Sequence, residues 1–377
     1  MNGRQKIEAA LLPGGSGEVA AVICYEGIFI RDHWRELTDC PWWYQVEPDI
    51  DRQLAWRRDA ILRTGQDWLA LPYCLPREER AEVSLELGSS GVSLVDRRTG
   101  ARSAISEPRI GGWTVSEGSQ SVRPARPAAS FSEVDALVPL PSAAADPRVD
   151  GRADLAARLV AEFPWLYPIV HVGSPLWLCY NLWGFEGLMT LVAESPELVA
   201  HACERFLVRA LDHVRQGAYL GAAGIWIEEC MTDAIGPAAF ERLNLPYLLP
   251  IVEEIRRRGM RSIYYYCGNP ADRWDLLLAA DADALSLEES KKGWRIDIAD
   301  VVARLRGRRA VLGNLDAIGL LANGSDDRLR VEIARQIEAG RRNGGRFVMS
   351  LGSPVTPGTS VERVRRYCDL VHELGSL

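Results

Sequence analysis

The eight cysteines of this 377-residue chain include no Cys-x-x-Cys pair, which removes the spacing on which zinc ribbons and dithiol redox motifs rest. Only five histidines are present. With one of them in YPIVHV and the others on helical or loop stretches, there is no histidine-rich metal box, so a metal would have to lean on sulfur and carboxylate. No Gly-x-Gly-x-x-Gly turn supports a dinucleotide fold. The net charge is −7, without a broad basic footprint, which argues against nucleic acid and against acidic membrane surfaces as partners. No apolar run approaches a membrane span, and the amino-terminal stretch MNGRQKIEAALLPGG lacks the apolar segment of a signal peptide. These absences leave a cytoplasmic protein with reduced thiols whose partners are small molecules or proteins.

What is present is a large apolar fraction, 47% of residues, ample for a sizeable core. Eight short apolar runs recur, each with a helical pattern behind it: AAVICY, DWLALP, YPIVHV, GIWIEE, SIYYYC, DALSLE, RAVLGNL and RFVMSLG. Their continuous apolarity suits strands covered on both faces, as in a parallel sheet. Ser195-Pro196-Glu197 announces one helix, and PYLLPIVEEIRRRG ends another with basic residues and a glycine. Eight such units predict a single α/β domain over 1–377, a TIM (β/α)8 barrel. Two stretches interrupt it. Residues 82–118 alternate apolar and polar residues across turn signals, which predicts an inserted antiparallel hairpin. Residues 119–150 are rich in Pro, Ala and Ser and read as a surface connection or a lid.

In a barrel, chemistry belongs at the carboxyl ends of the strands. Those ends offer Glu26, His171, Glu228 and Glu229 followed by Cys230, Cys267, Glu288 and Glu289, Asn314 and Asp316, and Ser350 and Ser353. Carboxylates and a thiol gathered from separate strands could bind a metal or move protons. Each has a plainer reading. Cys267 alone could be a packed thiol, since free cysteine is among the most buried side chains. His171 could be a satisfied core histidine, and Asn314 with Asp316 could simply turn the chain. The adjacent acids are harder to dismiss, because a carboxylate directly after a buried strand must be solvated, paired or used; which of each pair faces inward is open. Trp42, Trp43, Tyr44, Trp177, Tyr180, Trp183 and Tyr264 to Tyr266 could wall a bulky ligand or belong to the core. Strand alternation puts Tyr265 and Cys267 on one face.

Six stretches, in order and spacing, resemble a known family: GSPLWLCYNLWGFEGLMTLVAESPELV; GIWIEEC with GPAAFERLNLPYLLPIVEEIRRRG; YYYCGN; ADADALSLEESKKGW; VLGNLDAIGLL; and LGSPVTPGTSVERVRRYCDLVHELG. They resemble the uroporphyrinogen decarboxylase superfamily, which includes corrinoid-dependent methyltransferases and is distantly akin to cobalamin-independent methionine synthase. The resemblance is close from about residue 165 onward and looser before it, and it too implies a TIM barrel. In the methyltransferase branch it implies zinc held by a His-x-Cys-Gly motif and a late cysteine, activating a thiol for methyl transfer from a methylcorrinoid. Here Cys267-Gly268 matches, Tyr265 stands at the histidine position and Ser353 at that of the late cysteine. Glu288 falls where the methionine synthase relatives carry a zinc-binding glutamate, so the implied metal site is Cys267 and Glu288, with Glu228 nearby. The decarboxylase branch uses amino-terminal arginines in a glycine-containing motif; Arg31 and Arg35 have a comparable spacing in a different context, and that site is not carried over.

The resemblance thus implies a methyltransferase acting on a small methylated substrate or methylcorrinoid, with a corrinoid protein as partner. Glu228, Tyr265 and Asp316 are its catalytic candidates, Glu26, His171, Trp177, Asn314 and Ser353 its substrate or cofactor contacts. The alternatives are a metal-independent decarboxylase-like lyase and a non-catalytic corrinoid or small-molecule binding protein.

Overall fold

Seven short strands, rich in β-branched, aromatic and leucine residues, lie parallel in one curled sheet. The computed structural model describes residues 1–88, 91–111, 127–141, 146–290 and 293–376. In chain order the strands are β1 (Trp68–Ala70), then β2 (Val83–Gly88), β3 (Gly91–Asp96) and β4 (Arg102–Ile105) of an insertion. There follow β5 (Tyr167–Gly173), β6 (Gly224–Cys230), β7 (Arg261–Cys267), β8 (Ala284–Leu287), β9 (Ala310–Leu312) and β10 (Phe347–Val348). The sheet order is β1-β5-β6-β7-β8-β9-β10 with every pair parallel. Helices follow the strands, among them Pro196–Leu220, Leu245–Arg257, Ile298–Leu305, Asp326–Arg342 and Val361–Gly375. The fold is the expected α/β TIM barrel.

The eighth expected strand, AAVICY, is the correction. It forms only an isolated bridge between Ala21 and Met349. On that side the Met349 amide donates to the Ala20 carbonyl and the Val22 amide to the Met349 carbonyl, each at 2.9 Å. On the other side the Asp67 amide donates to the Ala21 carbonyl at 2.8 Å, but two bonds are taken over by side chains. Ala21 donates to Asp67 Oδ2 at 2.7 Å and Ile23 to Gln66 Oε1 at 3.1 Å. The segment therefore occupies the eighth place, between β10 and β1, with carboxylate and amide groups standing in for ladder carbonyls.

The insertion is also more than a hairpin. Asp96 accepts the amides of Arg98 and Thr99 at 2.8 and 2.9 Å, making a turn after which the chain returns as a third antiparallel strand. Residues 112–118 of the expected insertion, 119–126 and 142–145 of the expected connection, and the two lysines of ESKKGW lie outside the described residues. The described part of the connection is fastened to the barrel: the Trp183 indole donates to Ala128 O at 2.7 Å and Arg205 Nε to Val138 O at 2.8 Å. No helix among the described residues is long and apolar enough to cross a membrane.

Candidate active site at the barrel mouth

The barrel interior is closed by an aromatic stack. Trp226 of β6 lies against Tyr265 of β7 at 4.9 Å and against His171 of β5 at 5.9 Å, with Trp68 of β1 edge-on at 5.3 Å. Trp68, Trp226 and Tyr265 are buried. Beside this stack His171, Ala70, Glu228 and Cys267 remain half-buried, which marks where the packed interior gives way to an opening.

At that level β6 and β7 set Glu228 opposite Tyr265 and Cys230 opposite Cys267. Alternation turns all four side chains inward. The Cys230 thiol lies 3.8 Å from Glu228 Oε1 and 3.3 Å from the Tyr25 hydroxyl, and the neighbouring Cys267 thiol together with burial pushes its proton affinity well above the usual thiol range. Tyr25 meets Tyr265 edge-to-face at 5.6 Å. It sits in the left-handed region at φ 54, a strained conformation for a tyrosine and one that concentrates at functional positions. Burial raises the proton affinity of Glu228, while hydrogen bonds from Tyr25 and Cys230 hold it partway down.

Glu26 begins the next helix and accepts the Ala70 amide at 3.3 Å; burial lifts it to about 7 against the opposing pull of that bond and of Arg57. Burial lowers His171 to about 4, so its imidazole is neutral. Trp177 stands on the turn after β5, 5.3 Å from Tyr180.

The adjacent acids separate cleanly. Glu229 is wholly buried on the outer side of β6, where it accepts the Asn244 amide at 2.7 Å and the Tyr264 hydroxyl at 3.4 Å, and burial raises it to about 8. Glu289 accepts the Ser353 hydroxyl at 2.6 and 2.7 Å. Gly352 is required there, because a Cβ would fall onto the Glu289 amide; the Tyr265 hydroxyl donates to the Gly352 carbonyl at 3.0 Å. Glu288 is buried at the end of β8.

Asn314 and Asp316 turn the chain. The Asn314 amide donates to the carbonyls of Glu288 and Ile296 at 3.0 and 2.9 Å. Asp316 accepts the amides of Ile318 and Gly319 at 2.9 and 2.7 Å, capping the helical turn Ala317–Ala322. Both border a separate groove of about 550 Å³ with Asp297, Arg328 and Arg335. Of the expected site residues, Glu228, Tyr265 and Cys267 come together, with Glu26, His171 and Trp177 on neighbouring elements. Tyr25 is an addition, and Cys230, noted at the strand end without a role, joins the cluster. Cys230 shares its face with Glu228 two residues earlier, the same alternation that joins Tyr265 to Cys267, so the signal for it was present in GIWIEEC.

The metal expectation meets the donor set as follows. Among the described residues no group of three or more His, Cys, Asp or Glu side chains is arranged to hold a metal ion. The two positions that the resemblance assigns to further ligands are the Tyr265 and Ser353 hydroxyls, both already committed to protein acceptors. These residues do not fit zinc. Nor does an arginine clamp face the opening from the expected pair: Arg31 is buried against Asp32, Nε to Oδ1 at 2.6 Å, and Arg35 is 89% exposed.

The family described as Uroporphyrinogen decarboxylase (URO-D) matches residues 112–374. A uroporphyrinogen decarboxylase of Anaeromyxobacter sp. (strain Fw109-5) is 29% identical over 256 residues, 66% of this chain and 70% of that one. One from Xanthomonas euvesicatoria pv. vesicatoria (strain 85-10) is 28% identical over 220 residues, 54% of this chain and 59% of its own length. Among solved structures, a methyltransferase from Methanosarcina mazei superposes over 99% of both chains with a TM-score of 0.65 at 16% identity, a likeness of fold.

Proposed function

The chain belongs to the uroporphyrinogen decarboxylase family, and from that premise we propose that it is a cytoplasmic methyltransferase acting on a small methylated substrate, with a corrinoid on a separate protein as the other methyl carrier. The observation that supports this reading is the inward cluster of two thiols, a carboxyl and a phenol formed by Cys230, Cys267, Glu228 and Tyr25. The absence of a carboxylate clamp from Arg31 and Arg35 weighs against a polycarboxylate substrate, which needs bidentate partners.

In methyl transfer the acceptor's lone pair attacks the methyl carbon as the bond from that carbon to its donor breaks, and the electron pair stays with the donor. A protonated acceptor must lose its proton in the process. Glu228 takes it: a glutamate with raised proton affinity is a stronger base once ionised, and burial beside the thiols supplies that rise. Tyr265, stacked on Trp226 and tied to Gly352, forms the rigid floor against which a small substrate is oriented. His171, neutral, adds a polar contact without charge. The corrinoid, when present, supplies a carbon–metal bond able to give or accept a methyl group.

A second reading, a metal-independent lyase, draws on Glu26, which burial raises to about 7, and on Glu228, whose proton affinity burial also raises, and on the two hydroxyls at the ligand positions. The test uses the purified chain with methylcobalamin and a panel of small thiols and amines, beside small carboxylic acids. Demethylation of methylcobalamin that is lost in Glu228→Gln supports the first reading. Carbon dioxide release from an acid, with methylcobalamin untouched, replaces it with the second.

A further inference from the structure

Cys230 and Cys267 are direct partners across the parallel strands β6 and β7. Neighbouring strands run about 4.8 Å apart, inside the Cα separation that a disulfide spans, and both side chains turn to the same face. Both are free thiols. Each strand ends at the pair: Met231 leaves in the left-handed region at φ 59 and Gly268 at φ 154, so neither thiol is clamped from both sides by a continuing ladder. Their surroundings differ. Cys267 is half-buried at the opening, whereas Cys230 is 5% exposed and turned toward Tyr25 and Glu228.

We propose that Cys230 and Cys267 form a redox-active dithiol, which hydroperoxides convert to a disulfide across β6 and β7. Cys267, the accessible thiol, attacks one peroxide oxygen; the O–O bond breaks, leaving a sulfenic acid and, with hydrogen peroxide, one water. The Cys230 sulfur then attacks the sulfenic sulfur, the S–O bond breaks, and the departing hydroxyl leaves as a second water with the Cys230 proton. The two sulfurs give up two electrons and the peroxide takes them. A small dithiol reverses the step by exchange. The new bond draws Cys230 away from Tyr25 and Glu228, so its consequence for activity rests on the reaction centre proposed above, while the thiol chemistry stands without it.

A second thiol pair in the same chain provides a built-in comparison. Cys179 and Cys203 lie 3.6 Å apart, sulfur to sulfur, but both are fully buried. Proximity alone would oxidise both pairs; accessibility selects the one at the barrel mouth.

The test treats the full chain, purified under reducing conditions and freed of reductant, with limiting hydrogen peroxide. Intact mass, thiol titration and peptide mapping are read on monomer. Loss of two thiols of the eight, with the mass falling by two hydrogens and the bond mapped to Cys230–Cys267, is the expected result. Cys230→Ser then gives a Cys267 sulfenic acid that a cyclic dione traps, and Cys267→Ser consumes no second thiol. A bond mapped to Cys179–Cys203, sulfinic acid at Cys267 in place of a disulfide, or eight intact thiols would overturn the proposal. Methyl-transfer activity is measured on the same samples. A disulfide that forms without changing that activity removes the reaction centre from this cluster and leaves the dithiol; an absent disulfide in an enzyme that loses activity in Glu228→Gln does the reverse.

Discussion

Glu228 and Glu229 are consecutive residues of β6 whose carboxyl groups lie on opposite faces of the sheet. The Cys230 thiol approaches Glu228 at 3.8 Å inside the barrel, and the Asn244 amide meets Glu229 at 2.7 Å outside it. Period-two geometry makes this separation unavoidable, and burial raises both acids. The two nonetheless have different consequences, one for reaction and one for stability.

Replacing Glu228 by Gln keeps its size and removes its proton chemistry. Methyl transfer is expected to fall ~10²- to 10⁴-fold, the usual contribution of a positioned acid–base group, with thermal stability nearly unchanged because the side chain is half-buried at the opening. The wild-type rate should climb with pH through a value above the ordinary glutamate range, and that limb should be missing in the variant. A pH–rate profile of both proteins reads this directly; an unchanged limb assigns the proton to another group.

Glu229 should make the fold less stable as pH rises. Its value is about 8 in the folded chain against an ordinary 4.5, so the neutral acid's advantage is complete below about 4.5, shrinks through the interval and is gone above about 8. The total is of order a few kcal/mol. A protonated Glu229 also provides a donor beside Asn244 Oδ1, which has no partner among the described residues. Glu229→Gln needs no proton and should flatten the curve, so that urea midpoints of variant and wild type diverge in the variant's favour between pH 5 and pH 9. Parallel curves would show that Glu229 is solvated on ionisation.

The barrel was legible because its strands are buried on both faces and therefore read as continuous apolar runs, such as GIWI and SIYYYC. AAVICY carries the same signal but is no ladder strand, since Asp67 and Gln66 supply side-chain acceptors where backbone carbonyls were expected. Such substitution leaves no trace in an apolar pattern. The site was legible where alternation applied, at Tyr265 and Cys267, and less so at the adjacent acids, because a one-residue choice of face depends on a register that spacing does not set. Asp316 shows the limit of reading a polar residue at a strand end: its carboxylate is consumed by two backbone amides of the following turn.

Arg31 is expected to be a structural residue. Its guanidinium and the Asp32 carboxylate are joined by two bonds, 2.6 and 2.9 Å, with side chains 0% and 1% exposed. Arg31→Met strands a buried carboxylate, a loss of ~3–5 kcal/mol, whereas Arg35→Ala, at an exposed position, should cost under ~0.5 kcal/mol. Chemical denaturation of both variants decides the point. A stable Arg31→Met protein that has lost affinity for a polycarboxylate porphyrinogen would instead make Arg31 a substrate group and reopen the decarboxylase reading.

Zinc should be far below one ion per chain in protein purified without chelator, and the reason lies in two hydroxyls. Tyr265 donates to Gly352 O and Ser353 to Glu289, so both positions that the family resemblance assigns to ligands beside Cys267 are turned to protein acceptors, and neither hydroxyl is an effective zinc donor. The paired substitution Tyr265→His with Ser353→Cys supplies an imidazole and a thiolate in their place, and should raise zinc toward one ion per chain provided Cys267 is intact. Metal analysis of wild type, the paired variant and the paired variant with Cys267→Ala separates the cases. Stoichiometric zinc already in the wild type, lost in Cys267→Ala and Glu288→Gln, would mean that Tyr265 and its bond to Gly352 are no obstacle to a metal. Thiol activation by zinc would then displace Glu228 as the source of the nucleophile.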